Sequence, residues 1–402
     1  MRYGECFAFV FIPMVFLGLY NLLNTEKNHY HLIFGTCGLI LSHNLSTLLT
    51  AIFAFLYCII NGKNLVRTQV KKGLAIDLLF ILLITSFFWM PLLETKFYTN
   101  YRVYEENAMA NQESFLEATL ELKDLFITKK DSLFLFEIGL PVICMLMFSI
   151  ITWKNREENK KEYRFFLGAG ILSLWMATKY FPWKILPDAC YIIQFPWRML
   201  LFSTFFFAII VSINMTTIIK NFCRKDVLII GVIAMIYISA QYGIIQHSEK
   251  VQDIKEVPIR SVTEDNTEWI PGMGRLEYLP TRAYNHSAYI ANRENKLIIL
   301  EGTGEIYEET KKGNQMTAKI ATKDEKIKLE LPYIYYPGYT VKLDGITVET
   351  YETENGFLGC QIEKNENGEI QVDYTGTSLM NFSKIIAGIA WIVCMIYVWK
   401  KR

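Results

Sequence analysis

Three groups of polar residues interrupt long apolar runs, and each combines side chains that can do chemistry. His43-Asn44 sits in the middle of the run 31–62, where an imidazole and an amide beside lipid are costly unless paired. Two readings follow: a ligand-contacting pair, or a helix capped by Asn44 with a hydrogen-bonded His43. The second group is Glu94, at the end of an apolar run, followed by Arg102 and Glu105-Glu106 in a segment of nearly forty residues. Glu94 is the candidate catalytic residue, as a base towards an acceptor hydroxyl or as a sugar ligand, and Arg102 offers phosphate a two-pronged donor. An interfacial Glu–Arg ion pair is the plainer reading of both. The third group is Phe195-Pro-Trp-Arg198, which opens an apolar run after the proline-broken aromatic stretch 180–197. Arg198 suits a pyrophosphate anion and Trp197 the membrane interface, while snorkelling to headgroups explains Arg198 equally well. His29-Tyr-His31 supplies at most two metal ligands. No metal is expected there, and both histidines are read as solvated or interfacial.

The elements that must position these residues are bilayer helices. Of 402 residues 52% are hydrophobic, gathered into blocks rather than spread at helical or strand spacing, which marks a membrane protein. A helix needs about 20 apolar residues to cross the hydrocarbon core. The stretches 6–23, 31–43, 44–62, 73–93, 134–153, 165–180, 198–218, 226–246 and 382–399 meet or approach that length. The run 31–62 is split at Ser42-His43-Asn44 into two short or tilted helices. Cytoplasmic loops retain Lys and Arg, so the segments holding Lys63, Arg67, Lys71 and Lys72, then Lys154 to Arg164, then Lys220 to Lys225, and the tail Lys400-Lys401-Arg402 are placed inside. Alternation then puts 94–133, 181–197 and 247–381 outside. Met1 also falls outside, which is read as a sign of further spans upstream, in an N-terminal half, or else of a miscounted span at 31–62. Formal net charge is +1, so no basic field points to nucleic acid. Most cysteines lie in apolar blocks as small buried hydrophobes; Cys190 and Cys360 are the pair whose bonding sequence leaves open.

From about 260 to 376 the pattern changes to alternating apolar and polar residues cut by turn signals. Strands are expected at 296–301, 326–331, 340–343, 346–349 and 369–374, with hairpin turns at Asp344-Gly345, Asn355-Gly356 and Asn367-Gly368. The fold class is therefore a polytopic α-helical membrane protein of about nine spans with an extracytoplasmic all-β, sandwich-like domain before the last span. The expected division is 1–246, 247–381 and 382–402. Tyr333, Tyr335, Tyr336 and Tyr339 suit sheet packing better than sugar stacking.

Several strings in order resemble a bacterial family of polytopic membrane proteins related by name to 6-pyruvoyl-tetrahydropterin synthase and akin to YfhO-type proteins. They are Gly4-Glu5 with Phe11-Ile-Pro13, Leu41-Ser-His-Asn44, Trp89-Met-Pro-Leu-Leu-Glu94, Gln194-Phe-Pro-Trp-Arg198, Glu277-Tyr-Leu-Pro280 and Tyr335-Tyr-Pro-Gly338. The resemblance implies a fold like the GT-C glycosyltransferases, which transfer sugar from a polyprenyl-phosphate donor at the outer membrane face. In those enzymes an acidic residue of the first outer loop is the usual base, and this chain shows no such loop. The expected ligand is thus a polyprenyl-phosphate-linked sugar contacted by His43, Asn44, Arg102, Trp197 and Arg198, with membrane lipid as partner and no cofactor. The alternatives are a non-catalytic binding or transport component for lipid-linked saccharide, and a structural module that meets cell-envelope polysaccharide.

Overall fold

The computed structural model of the chain describes residues 3–102, 112–125, 146–147, 149, 160–221, 231, 276 and 278–401. Most of the expected spans 134–153 and 226–246, and Glu105, Glu106 and Glu277, lie outside those residues. The longer helices are α1 (Tyr3–Tyr20), α2 (His31–Ser42), α3 (Asn44–Ile60), α4 (Thr68–Ile84), α5 (Ser86–Tyr98), α6 (Lys160–Met176), α7 (Met199–Asn221) and α8 (Ser378–Lys401). Among the described residues three segments are long and apolar enough to cross a bilayer, Gly4–Thr25, Pro196–Thr216 and Ser378–Lys400. A fourth exists if α4 and α5 form one broken span. The apolar run 31–62 does break at His43, whose backbone is extended at φ −161° and ψ 109°. The stretch 73–93 is two helices rather than the expected one. Thr85 leaves helical geometry, and the Ser86 hydroxyl donates to the Ser383 carbonyl at 3.0 Å.

The chain divides into two compact units, one of 1–81 and 109–258 with the last two residues, the other of 82–108 and 259–400. In the first, α1 passes through a π-helical stretch, Asn21–Thr25, and returns as α2. Gly18 permits the close hairpin, since a Cβ there would lie 2.2 Å from the Leu32 nitrogen. The core is aromatic: the Phe16 ring lies 5.3 Å from Phe205 and 5.5 Å from Phe206, and Tyr57 lies 4.9 Å from Phe165. Tilted and edge-on rings of this kind add to the burial of α1, α3, α6 and α7 against one another.

The second unit contains an antiparallel sandwich, as the alternation implied. One sheet has the order β1-β4-β8-β7 and the other β2-β3-β9-β5-β6. The strands are β1 (Ile298–Glu301), β2 (Gly304–Lys312), β3 (Gln315–Thr322), β4 (Lys326–Ile334), β5 (Tyr339–Leu343), β6 (Ile346–Val348), β7 (Thr350–Glu352), β8 (Phe357–Glu363) and β9 (Gly368–Tyr374). Alternate residues of both sheets, among them Ile320, Leu329, Val341, Cys360, Ile370 and Val372, are sealed between them. Cys190 and Cys360 are free thiols, and burial pushes the Cys360 thiol up to about 12.

Candidate functional site

Glu5, in the first turn of α1, faces two residues already singled out. Arg198 Nε lies 2.6 Å from Glu5 Oε1, and His43 Nε2 lies 4.0 Å from the same oxygen. The Glu5 and Arg198 side chains are each 7% exposed, so two opposite charges are buried together. The 2.6 Å approach is an ion-pair contact rather than an aligned hydrogen bond. Gly4 makes this meeting sterically possible. A Cβ at that position would stand 2.7 Å from the Ser42 carbonyl oxygen, at the end of α2.

His43 owes its position to the break between α2 and α3. Its extended backbone makes it the N-cap of α3, and its Nδ1 accepts the Ser46 amide at 3.2 Å with the Ser46 hydroxyl 2.8 Å away. The cap is therefore His43 itself and not Asn44, which is exposed. Because Nδ1 accepts, the neutral ring carries its proton on Nε2. That N–H faces Glu5 across a gap too long for a direct hydrogen bond.

Arg198 is held from behind. It closes the 3-10 turn Pro196–Arg198, and its Nη1 donates to the Ile193 carbonyl at 2.8 Å and to Gln194 Oε1 at 2.9 Å. Gln194 has φ 63° and ψ −44°, and the Phe195 amide reaches back to the Ile193 carbonyl at 2.7 Å. This is a γ-turn of the rare positive-φ form, strained for a side chain other than glycine. The guanidinium also stands 5.0 Å from the centre of the Phe195 ring, and that ring stacks on Trp197 at 5.4 Å. Trp197 is half-buried. Trp183 is 1% exposed, packed edge-on against Phe115 at 5.0 Å with its indole N–H on the Met176 carbonyl. The segment 112–125 supplies that cover, an element the sequence did not reveal.

The remaining candidates belong to the second unit. Glu94 Oε2 accepts the Thr377 hydroxyl at 2.6 Å, and that hydroxyl accepts the Met380 amide at 3.1 Å, capping α8. Arg102 places its guanidinium 4.6 Å from the centre of the Tyr284 ring, and its amide donates to the Leu279 carbonyl. Next to it Tyr101 stacks on Tyr336 at 6.2 Å. Tyr333 and Tyr339 pack on each other and the sandwich core, and burial pushes the Tyr333 and Tyr336 phenols up to about 12. The packing role of these tyrosines is the one observed.

A second ionisable pair lies at the other end of the first unit, beyond the end of α1, which runs about 22 Å from Glu5 to Tyr20 at 1.5 Å per residue. His29 Nδ1 meets Asp77 Oδ2 at 2.7 Å, with side chains 5% and 0% exposed. The expectation of a solvated His29 is thus wrong. The loop after the π-helical stretch folds inward against α4 because Asp77, an acid inside an apolar helix, needs a buried partner. His31 is half-buried and its Nδ1 meets the Asn28 carbonyl oxygen at 2.9 Å.

Fold and site together define a class, an apolar helical unit with a buried Glu–Arg pair flanked by a half-buried histidine, joined in one chain to an antiparallel β sandwich. No protein-family model, curated protein or solved structure matches this chain.

Proposed function

We propose that the chain is a GT-C-like membrane protein that binds a polyprenyl-phosphate-linked sugar at the outer face of a membrane, with Glu5, His43 and Arg198 as the polar floor of the site. The observation that carries this reading is the convergence of three ionisable side chains from three separate helical elements. An apolar unit gains nothing in stability from a buried ion pair over well-packed hydrophobes. The strained turn at Gln194 that holds Arg198 points the same way. Arg198 acts differently from the phosphate fork that sequence suggested, since its donors engage Glu5, Ile193 and Gln194. Glu5 and Arg198 balance each other's charge, so the pair suits hydroxyl groups of a sugar better than a pyrophosphate. In a transfer reaction Glu5 would take the proton of an acceptor hydroxyl whose oxygen bonds to the anomeric carbon as the bond from that carbon to the phosphate oxygen breaks and polyprenyl phosphate leaves, with His43 Nε2–H donating to a neighbouring oxygen and Arg198 positioning Glu5.

The orientation that accompanies this reading has about nine spans, a cytoplasmic C-terminus and an extracytoplasmic sandwich. It is supported by the placement of Lys63, Arg67, Lys160 and Lys161 at the end of the first unit opposite Glu5. The test is binding of a short-chain polyprenyl-phosphate hexose to the purified chain in detergent. His43→Asn retains a capping side chain while removing the imidazole, so binding should weaken at least tenfold, about 1.4 kcal/mol, with unfolding temperature unchanged. Equal binding by His43→Asn, Glu5→Gln and the parent chain would remove the cluster from the site.

A further inference from the structure

We infer that the end of the helical unit opposite Glu5 is a docking surface for anionic phospholipid headgroups. Lys63 and Arg67 follow α3, Lys71 and Lys72 lie in the first turn of α4, and Lys160 and Lys161 open α6. These starts and ends come together because Tyr57, near the end of α3, packs on Phe165 and Phe166 near the start of α6, at 4.9 and 5.9 Å. All six cations are exposed. The acids at this end offset them only in part: Asp77 is buried against His29, Glu26 is the partner of Arg67 at 3.4 Å, and half-buried Glu162 stands in the first turn of α6, which leaves the lysines in excess. The opposite end differs in kind, since Lys123 and Lys179 both pair there with Glu121, at 2.9 and 3.3 Å.

Two features select a lipid surface over a soluble polyanion. Ile59, Ile60 and Val66, between 48% and 64% exposed, stand among the cations, so the patch offers apolar side chains and positive charge together. A cluster of Lys and Arg immediately beside an apolar helix end is attracted to anionic lipid within a Debye length of the surface. A free polyanion would meet the charge and leave the isoleucines and valine uncovered.

The experiment compares thermal unfolding of the full chain in phosphatidylcholine vesicles with and without phosphatidylglycerol. Phosphatidylglycerol should raise the unfolding temperature by roughly 3 °C or more, and salt at about 0.5 M should erase the increment by screening. Replacing Lys63, Lys71, Lys72, Lys160 and Lys161 together by Gln should abolish it, whereas Lys123→Gln with Lys184→Gln at the other end should preserve it. Equal unfolding temperatures in both vesicles would overturn the inference, as would an increment that survives the five replacements. Stabilisation of the detergent-solubilised chain by soluble polyphosphate to the same extent would assign the patch to anions in general and overturn it too.

Discussion

Glu5 and Arg198 face each other at 2.6 Å, both nearly out of solvent, and the value of such a pair lies in what happens when one member is removed. Arg198→Met leaves a buried carboxylate uncompensated and should cost about 3–5 kcal/mol, whereas combining it with Glu5→Gln should recover much of that loss. Unfolding in detergent gives the cycle. Additive losses would mean that the two side chains do not interact. His29 and Asp77 should behave likewise, with Asp77→Asn retaining more stability than Asp77→Leu because a donor or acceptor still faces His29. Glu352 supplies the pH dependence at this scale. Burial raises its carboxyl above the ordinary value, with Arg282 partly opposing, so the folded chain holds that proton more tightly than the unfolded one. Its contribution to stability is full below the ordinary carboxylate range and is lost as pH rises through the raised folded value. Glu352→Gln should therefore stabilise the sandwich near neutrality and flatten that part of the profile, as measured by unfolding across the acid range. An unchanged profile would contradict the burial.

At the scale of elements, the sandwich depends on close backbone approach. Gly356 has φ 79°, and a Cβ there would stand 2.5 Å from the nitrogen of Ala283, in the short helix Thr281–Asn285. Gly356→Ala should cost more than about 2 kcal/mol, from left-handed strain and steric overlap together, and hydrogen exchange across 281–292 and 353–360 should quicken. Protection unchanged in both segments would contradict the close packing. Five of the nine strands were legible because 326–331 and 369–374 alternate strictly, 296–301 is a short apolar run, and Asp344-Gly345 marks a tight hairpin, both residues having positive φ. The sequence hid β2, where Glu305, Glu308, Glu309, Lys311 and Lys312 make the strand polar. That is how an edge strand avoids pairing with another chain, and β2 is an edge in its sheet. The break at His43 was legible from polarity alone. The break at Thr85 was not, because two hydroxyl residues in an apolar run carry no more signal than an ordinary helix interior.

For the whole molecule, α8 shows what an apolar helix of this chain faces: Ile385, Ile389, Ile392 and Ile396 are between 49% and 64% exposed, a surface suited to lipid. Reporter fusions at Leu300 and Thr68 should place the first outside and the second inside, and a cytoplasmic Leu300 would invert the orientation on which an outer-face site depends. Two of the three residues of the candidate site were readable in advance. His43 and Arg198 stood out as polar residues at the edges of apolar runs, but Glu5 did not, because one acid near the start of a helix is usually a favourable first-turn charge. Only folding shows that it is the residue joining the other two. The most direct measurement is photo-crosslinking of a diazirine-bearing polyprenyl-phosphate hexose to the full chain in detergent, with the labelled peptides mapped. Label should concentrate on the peptides containing Glu5, His43 and Phe195 to Arg198, fall with unlabelled hexose derivative, and be lost in Glu5→Gln. Label spread along α8 or the sandwich, unchanged by competitor or by Glu5→Gln, would contradict a saccharide site at this cluster.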